Sequence, residues 1–145
     1  MKKASSKLLL LDVNVLLAIA WPNHQFHAIA TQTMELSSDQ WATCALTQLG
    51  FIRLSSNPSV IPAAKSPAEA LSILEAMIAD SAHTYLDSLP SPVGMKSLRS
   101  FERILGHKQV TDAYLLSLAQ ENQATFVTFD ARLKGLSSEL TILGA

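Results

Sequence analysis

The sequence lacks several features that would place it in a specialised class of protein. Cys44 is the only cysteine in 145 residues, so no disulfide can form within the chain, and a small buried side chain is its expected role. No apolar run approaches the roughly 20 residues needed to span a bilayer. Charged residues make up only 16% and the formal net charge is −1, so no overall field attracts nucleic acid. We expect a cytoplasmic protein without a membrane segment.

What the chain does have is a large apolar fraction arranged in alternating segments. Hydrophobic residues make up 48%, enough for one domain spanning residues 1–145 with a substantial core. Strands alternating with helices predict an α/β fold whose central, mostly parallel sheet carries helices on both faces. The predicted strands are 8–13, 41–44, 83–86, 124–129 and 140–143. The predicted helices are 14–20, 24–36, 45–54, 67–79, 95–105 and 111–120.

Three aspartates stand at the edges of these elements. Asp12 follows four consecutive leucines, Asp130 follows the apolar segment 124–129, and Asp112 lies at the start of a helix. Alone, each has an ordinary explanation as a helix cap, a first-turn acid with Thr111 as the cap, or a turn residue. Together they are expected at one edge of a parallel sheet.

Oxygen ligands at such an edge would suit Mg²⁺ or Mn²⁺ and not zinc. Clustered carboxylates repel one another unless a cation or a proton intervenes. Neutral oxygens on the same rim would come from Asn14, Thr111 and Thr128.

At these residues the sequence resembles the PIN-domain ribonucleases, and in particular the VapC toxins of bacterial toxin–antitoxin pairs. The matching segments are Leu-Asp12-Val-Asn14-Val-Leu-Leu, Gly50-Phe-Ile-Arg-Leu, Val110-Thr-Asp112-Ala-Tyr-Leu-Leu and Val127-Thr-Phe-Asp130. The resemblance implies a single PIN-like domain in which Asp12, Asp112 and Asp130 are catalytic and hold Mg²⁺ or Mn²⁺. It also implies hydrolysis of RNA phosphodiester bonds, a cognate antitoxin and a homodimer. Where family members commonly carry a further acid, this chain has Gln48, one negative charge fewer.

A basic segment precedes Asp112. Arg99, Arg103, His107 and Lys108 are candidates for RNA binding, through phosphate contacts that position the strand without reading its bases. The first three are spaced by four residues and would share a helix face if one helix continued through them. A solvated surface is the ordinary alternative. His24 and His27, three apart on a predicted helix, are expected to serve packing or a partner contact in preference to a metal.

Two other functions remain open from the residues. One is phosphoryl transfer on aspartate, as in phosphatase-like domains, suggested by Asp12-Val-Asn14-Val. The other is a catalytically weakened PIN-like binding module, suggested by the neutral Gln48.

Overall fold

The computed structural model describes residues 7–36, 39–95, 98, 106–137 and 139–144. Five parallel strands form one sheet in the order β3-β2-β1-β4-β5. The strands are Leu8–Leu11 (β1), Gln40–Cys44 (β2), His83–Leu86 (β3), Ala124–Thr128 (β4) and Leu140–Ile142 (β5). The predicted α/β fold with a parallel sheet is confirmed.

Helices connect the strands. The α-helices in the described residues are Val13–Ala20 (α1), His27–Leu36 (α2), Ala45–Ser55 (α3), Pro67–Ile78 (α4) and Val110–Glu121 (α5). Short 3₁₀ helices cover Pro92–Gly94, His107–Gln109 and Ala131–Leu133. None of the helices described is long and apolar enough to cross a bilayer.

Several predicted boundaries were wrong. The first strand ends at Leu11, not at residue 13, because the Asp12 carboxylate caps α1 and Val13 is already helical. Helix α2 begins only at His27, after a turn. Helix α5 begins at Val110, so Thr111 lies inside it and is not its cap. Most of the predicted helix 95–105 lies outside the described residues.

The core lies on both faces of the sheet. Leu10 and Phe126 point to the face covered by α5, where they pack with Leu116. Leu9 and Leu11 point to the other face, among residues of α1, α3 and α4. Because successive strand residues alternate between faces, a strand covered on both sides must be apolar at every position. This explains the four consecutive leucines of β1.

A close contact between α1 and α3 sets the position of the first helix. Gly50 on α3 is buried, and a β-carbon built on it would lie 2.6 Å from Cγ2 of Val13. Real side-chain atoms do not approach so closely, so the missing side chain lets α3 lie directly against the start of α1. The same turn of α1 carries Asp12 and Asn14.

Candidate active site at the carboxyl edge of the sheet

Asp12 is buried at the point where β1 becomes α1, with 7% of its surface exposed. Its Oδ1 accepts the Val13 backbone N–H at 2.7 Å, and its Oδ2 accepts the Thr128 hydroxyl at 2.7 Å. The pKa of Asp12 is raised above its usual value, mainly by burial and also by the charge of Asp130, although these two hydrogen bonds oppose the rise. Asp12 is therefore both a helix cap and an acidic group of the edge, so the two interpretations of its role are compatible.

Thr128 links the ends of the two central strands. Leu11 on β1 pairs with Val127 on β4, which places the residues that follow side by side. The buried Thr128 hydroxyl donates to Asp12 and accepts from Asn14 Nδ2 and from the Asp130 backbone N–H, both at 3.1 Å. All its hydrogen-bonding capacity is used. Asn14 Oδ1 also accepts the Phe129 backbone N–H at 3.2 Å, so Asn14 and Thr128 hold the edge together.

Asp112 reaches this edge from a helix. Helix α5 connects to β4 and packs on it. A helix that leads into a parallel strand runs opposite to the strands, so its first turn, which carries Asp112, lies at their carboxyl ends. Burial, followed by the charges of Asp12 and Asp130, raises the pKa of Asp112 from 3.8 to about 7. The charge of Asp130 thus acts on both Asp12 and Asp112, and the charge of Asp12 acts on Asp112.

Asp130 carries an ion pair. Arg132 donates to Asp130 Oδ1 from its backbone N–H at 3.0 Å and from Nε at 2.9 Å, and to Oδ2 from Nη2 at 2.8 Å. These bonds and the charge of Arg132 hold the pKa of Asp130 below its usual value. The Asp130 carboxylate is therefore ionised and faces a guanidinium group.

The chemistry of the donors suits a hard divalent cation. Carboxylate oxygens are the ligands Mg²⁺ and Mn²⁺ prefer. The pKa of Asp112 is raised first by burial and then by repulsion from Asp12 and Asp130, and a cation relieves that repulsion. In this conformation, no three or more His, Cys, Asp or Glu side chains among the described residues are gathered so as to hold an ion. Asp130 is turned to Arg132 instead. The assignment of all three aspartates as ligands stays a prediction.

Gln48 takes part in a separate polar chain. Its Nε2 donates to the buried Thr43 hydroxyl at 3.0 Å, and a 2.8 Å hydrogen bond joins that hydroxyl to His83 Nε2. Burial lowers the pKa of His83. Gln48 is thus held by β2, and it contributes no charge. Thr111 is exposed and lines a groove with Leu46, Val110 and Tyr114 among other residues.

The basic residues divide between described and undescribed positions. His107 and Lys108 are exposed in the 3₁₀ turn immediately before α5. Gly106 forms a bend there, so His107 does not continue an α-helix, and the shared helix face does not extend to it. Arg99 and Arg103 lie outside the described residues.

His24 and His27 hydrogen-bond to backbone groups. His24 Nδ1 accepts the Phe26 N–H at 3.0 Å, and His27 Nδ1 bonds the Ala18 carbonyl at 2.7 Å. His24 precedes α2, so the two residues are not three apart on one helix as predicted. These contacts agree with the packing interpretation.

The sequence interpretation missed Arg132, which bonds Asp130, and also Thr43 and His83, which are linked to Gln48. Arg132 stands two positions after Asp130, a spacing at which a turn lets a side chain return to the carboxylate. That signal was present in Asp130-Ala-Arg132. The Thr43–His83 hydrogen bond joins β2 to β3. It connects residues far apart in the chain, so no local sequence pattern indicates it.

Comparison with known proteins identifies the family to which this fold belongs. Residues 9–138 match the PIN domain family. Ribonuclease VapC39 of Mycobacterium tuberculosis is 42% identical over 131 residues, covering 89% of this chain and 93% of that protein. Ribonuclease VapC38 of the same organism is 40% identical over 131 residues, covering 90% of each.

Solved structures show the same fold at low identity. VapBC2 from Rickettsia felis, bound to a DNA fragment from its promoter, aligns with a TM-score of 0.65 and 16% identity, covering 94% of this chain and 98% of that one. Mycobacterium tuberculosis VapC20, described as a Sarcin-Ricin loop cleaving toxin, aligns with a TM-score of 0.63 and 10% identity, covering 85% and 90%. The chain therefore belongs to the PIN-domain family, and within it to the VapC ribonucleases.

Proposed function

We propose that this protein is a metal-dependent endoribonuclease and the toxin of a toxin–antitoxin pair. The observation that carries the proposal is the electrostatic interaction of Asp12, Asp112 and Asp130 at one edge of the sheet. Relatives named ribonuclease at 40–42% identity support it. Membership of the PIN-domain family favours a nuclease over phosphoryl transfer on aspartate.

The aspartates would hold one or more Mg²⁺ or Mn²⁺ ions. When bound, such an ion supplies activation of water and neutralisation of charge on the phosphate. The Val13 N–H and the Thr128 hydroxyl fix both oxygens of Asp12 and so orient this ligand. Asp112, with its pKa near 7, is partly protonated at neutral pH and must release that proton before it can act as a ligand.

RNA would reach the edge past the turn before α5. His107 and Lys108 are exposed there, within five residues of Asp112, and offer phosphate contacts near the acidic group. Arg99 and Arg103 are proposed to extend the same contact. Phosphate contacts of this kind hold an RNA strand against the repulsion of the carboxylates.

A protein partner is part of the proposal. The Rickettsia felis VapBC2 structure and a Klebsiella pneumoniae toxin–antitoxin complex, which aligns with a TM-score of 0.62 and 15% identity, support an antitoxin as that partner. We also propose that the chain forms a homodimer. Light scattering on the purified chain tests this, and a monomer at micromolar concentration would contradict it.

RNA cleavage by the purified chain tests the catalytic proposal. We expect a preparation free of antitoxin to cleave RNA when Mn²⁺ or Mg²⁺ is added. Cleavage should stop when EDTA removes the cation. Asp112→Asn should abolish cleavage, because it removes a carboxylate from the edge. Glu75→Gln changes an exposed carboxylate on α4, away from the carboxyl edge of the sheet, and should leave cleavage unchanged. Intact RNA with the folded wild type, or equal cleavage by Asp112→Asn, would contradict the proposal.

A weakened binding module is the second candidate, because Gln48 is neutral and bonded to Thr43. Calorimetry with Mn²⁺ separates it from the nuclease. Absence of Mn²⁺ binding to the wild type would favour the binding module. Saturable binding that Asp12→Asn weakens would favour the nuclease.

A further inference from the structure

Arg132 occupies the Asp130 carboxylate on both of its oxygens. Nε donates to Oδ1 at 2.9 Å and Nη2 donates to Oδ2 at 2.8 Å, which is the two-bond geometry in which a guanidinium holds a carboxylate most strongly. The backbone N–H of Arg132 adds a third bond, to Oδ1 at 3.0 Å. Three donors from one residue therefore satisfy Asp130.

The ion pair lies at the boundary between the acidic edge and solvent. The Arg132 side chain is 59% exposed, whereas that of Asp130 is 15% exposed. The guanidinium group can thus leave without disturbing the core, while Asp130 stays in place through the backbone bond. The charge of Arg132 also acts on Asp112. Arg132 therefore places a positive charge at the same group of carboxylates that would attract a cation.

We propose that Arg132 is a positioning residue that competes with the divalent cation for Asp130 and must move aside before the ion can use all three aspartates. The inference rests on the proposed function, since it concerns the same metal. Two positive charges cannot share one carboxylate without repulsion. The guanidinium also lies against both carboxylate oxygens, where a metal ion would bind. Arg132 therefore weakens cation binding relative to a chain without it.

Calorimetric titration of the full chain with MnCl₂ tests the inference without relying on activity. Arg132→Gln removes the competing charge and should bind Mn²⁺ about three- to tenfold more tightly, the effect of breaking a partly exposed two-bond ion pair. Arg132→Lys keeps the charge but offers one ammonium group in place of the planar guanidinium. Its affinity for Mn²⁺ should lie between those of wild type and Arg132→Gln. Lys134→Gln is the matched control, because it removes an exposed positive charge from the same segment.

The outcomes distinguish this inference from the proposed function. Binding to Arg132→Gln that is equal to or weaker than wild type would overturn the inference and leave the metal site standing. Equal tightening in Arg132→Gln and Lys134→Gln would also overturn it, because a general charge effect would then suffice. If neither wild type nor Arg132→Gln binds Mn²⁺, the metal requirement of the proposed function fails as well. Tighter binding by Arg132→Gln than by wild type, with Lys134→Gln binding as wild type does, would support the inference.

Discussion

Replacing Asp112 with asparagine should stabilise the folded chain at alkaline pH while removing a carboxylate from the site. Burial and the charges of Asp12 and Asp130 raise the pKa of Asp112 from 3.8 to about 7. The folded state therefore keeps a proton that the unfolded chain has already lost between about pH 4 and pH 7. Stability consequently falls as the pH rises through that window and levels off above it.

The magnitude follows from the same values. A rise from 3.8 to about 7 corresponds to about 4 kcal/mol if converted in full. Because Asp112 is only partly buried, solvent screening reduces this to about 1–2 kcal/mol. Asparagine has nearly the same shape and no charge. The variant should therefore exceed wild type by about 1–2 kcal/mol at pH 8, or about 3–6 °C in Tm, and approach the stability of wild type only below about pH 4.

Thermal unfolding followed by circular dichroism measures this difference. Wild type, Asp112→Asn and the exposed control Glu75→Gln on α4 are compared at pH 3.5, 5.5 and 8 with EDTA present, so that no cation shields the carboxylates. The control should follow wild type at every pH. A difference between Asp112→Asn and wild type that does not change with pH, or a variant less stable at pH 8, would refute the reasoning.

Three further substitutions probe the packing and the hydrogen bonds of the site. Gly50→Ala should destabilise the chain by about 1–3 kcal/mol in urea unfolding, because its β-carbon would meet Val13 at 2.6 Å. Adding Val13→Ala should recover much of that loss, and no recovery would contradict the contact. Thr128→Val should cost about 1–3 kcal/mol of stability and reduce RNA cleavage, because Asp12 loses a donor at 2.7 Å. Thr128→Ser keeps the hydroxyl and should retain both stability and cleavage. Equal losses in the two variants would contradict a role for the hydroxyl. Ser117→Ala should stabilise the chain by about 0.5–1 kcal/mol, because the buried Ser117 hydroxyl has no hydrogen-bond partner among the described residues. A loss of stability would contradict this and indicate that the hydroxyl has a partner.

Elements with strong local signals were predictable from the sequence. Ser66-Pro67-Ala68-Glu69 has the sequence pattern of a capping box, and Ser66 and Glu69 form one at the start of α4, with hydrogen bonds of 3.2 Å in both directions. Strand β3 begins and ends at the predicted residues. Prediction failed where a side chain decided the boundary, as at Asp12, whose carboxylate begins α1 immediately after β1.

The sequence alone determined which aspartates could meet. A carboxylate directly after a buried parallel strand, or in the first turn of a helix leading into one, lies at the carboxyl edge whatever the order of strands. This rule places Asp12, Asp112 and Asp130 on one edge of the sheet. It depends only on chain direction, which local patterns of apolar residues reveal.

Only the tertiary structure decided what each carboxylate faces. Thr128 bonds Asp12 because β1 and β4 are neighbours, a pairing of residues more than a hundred positions apart. The pKa of Asp112 is raised because the folded chain buries it beside two other charges. Arg132 turns to Asp130 through a geometry that spacing permits but does not require. Such contacts depend on distances of a few ångströms between distant segments, and those distances exist only once the whole core has packed.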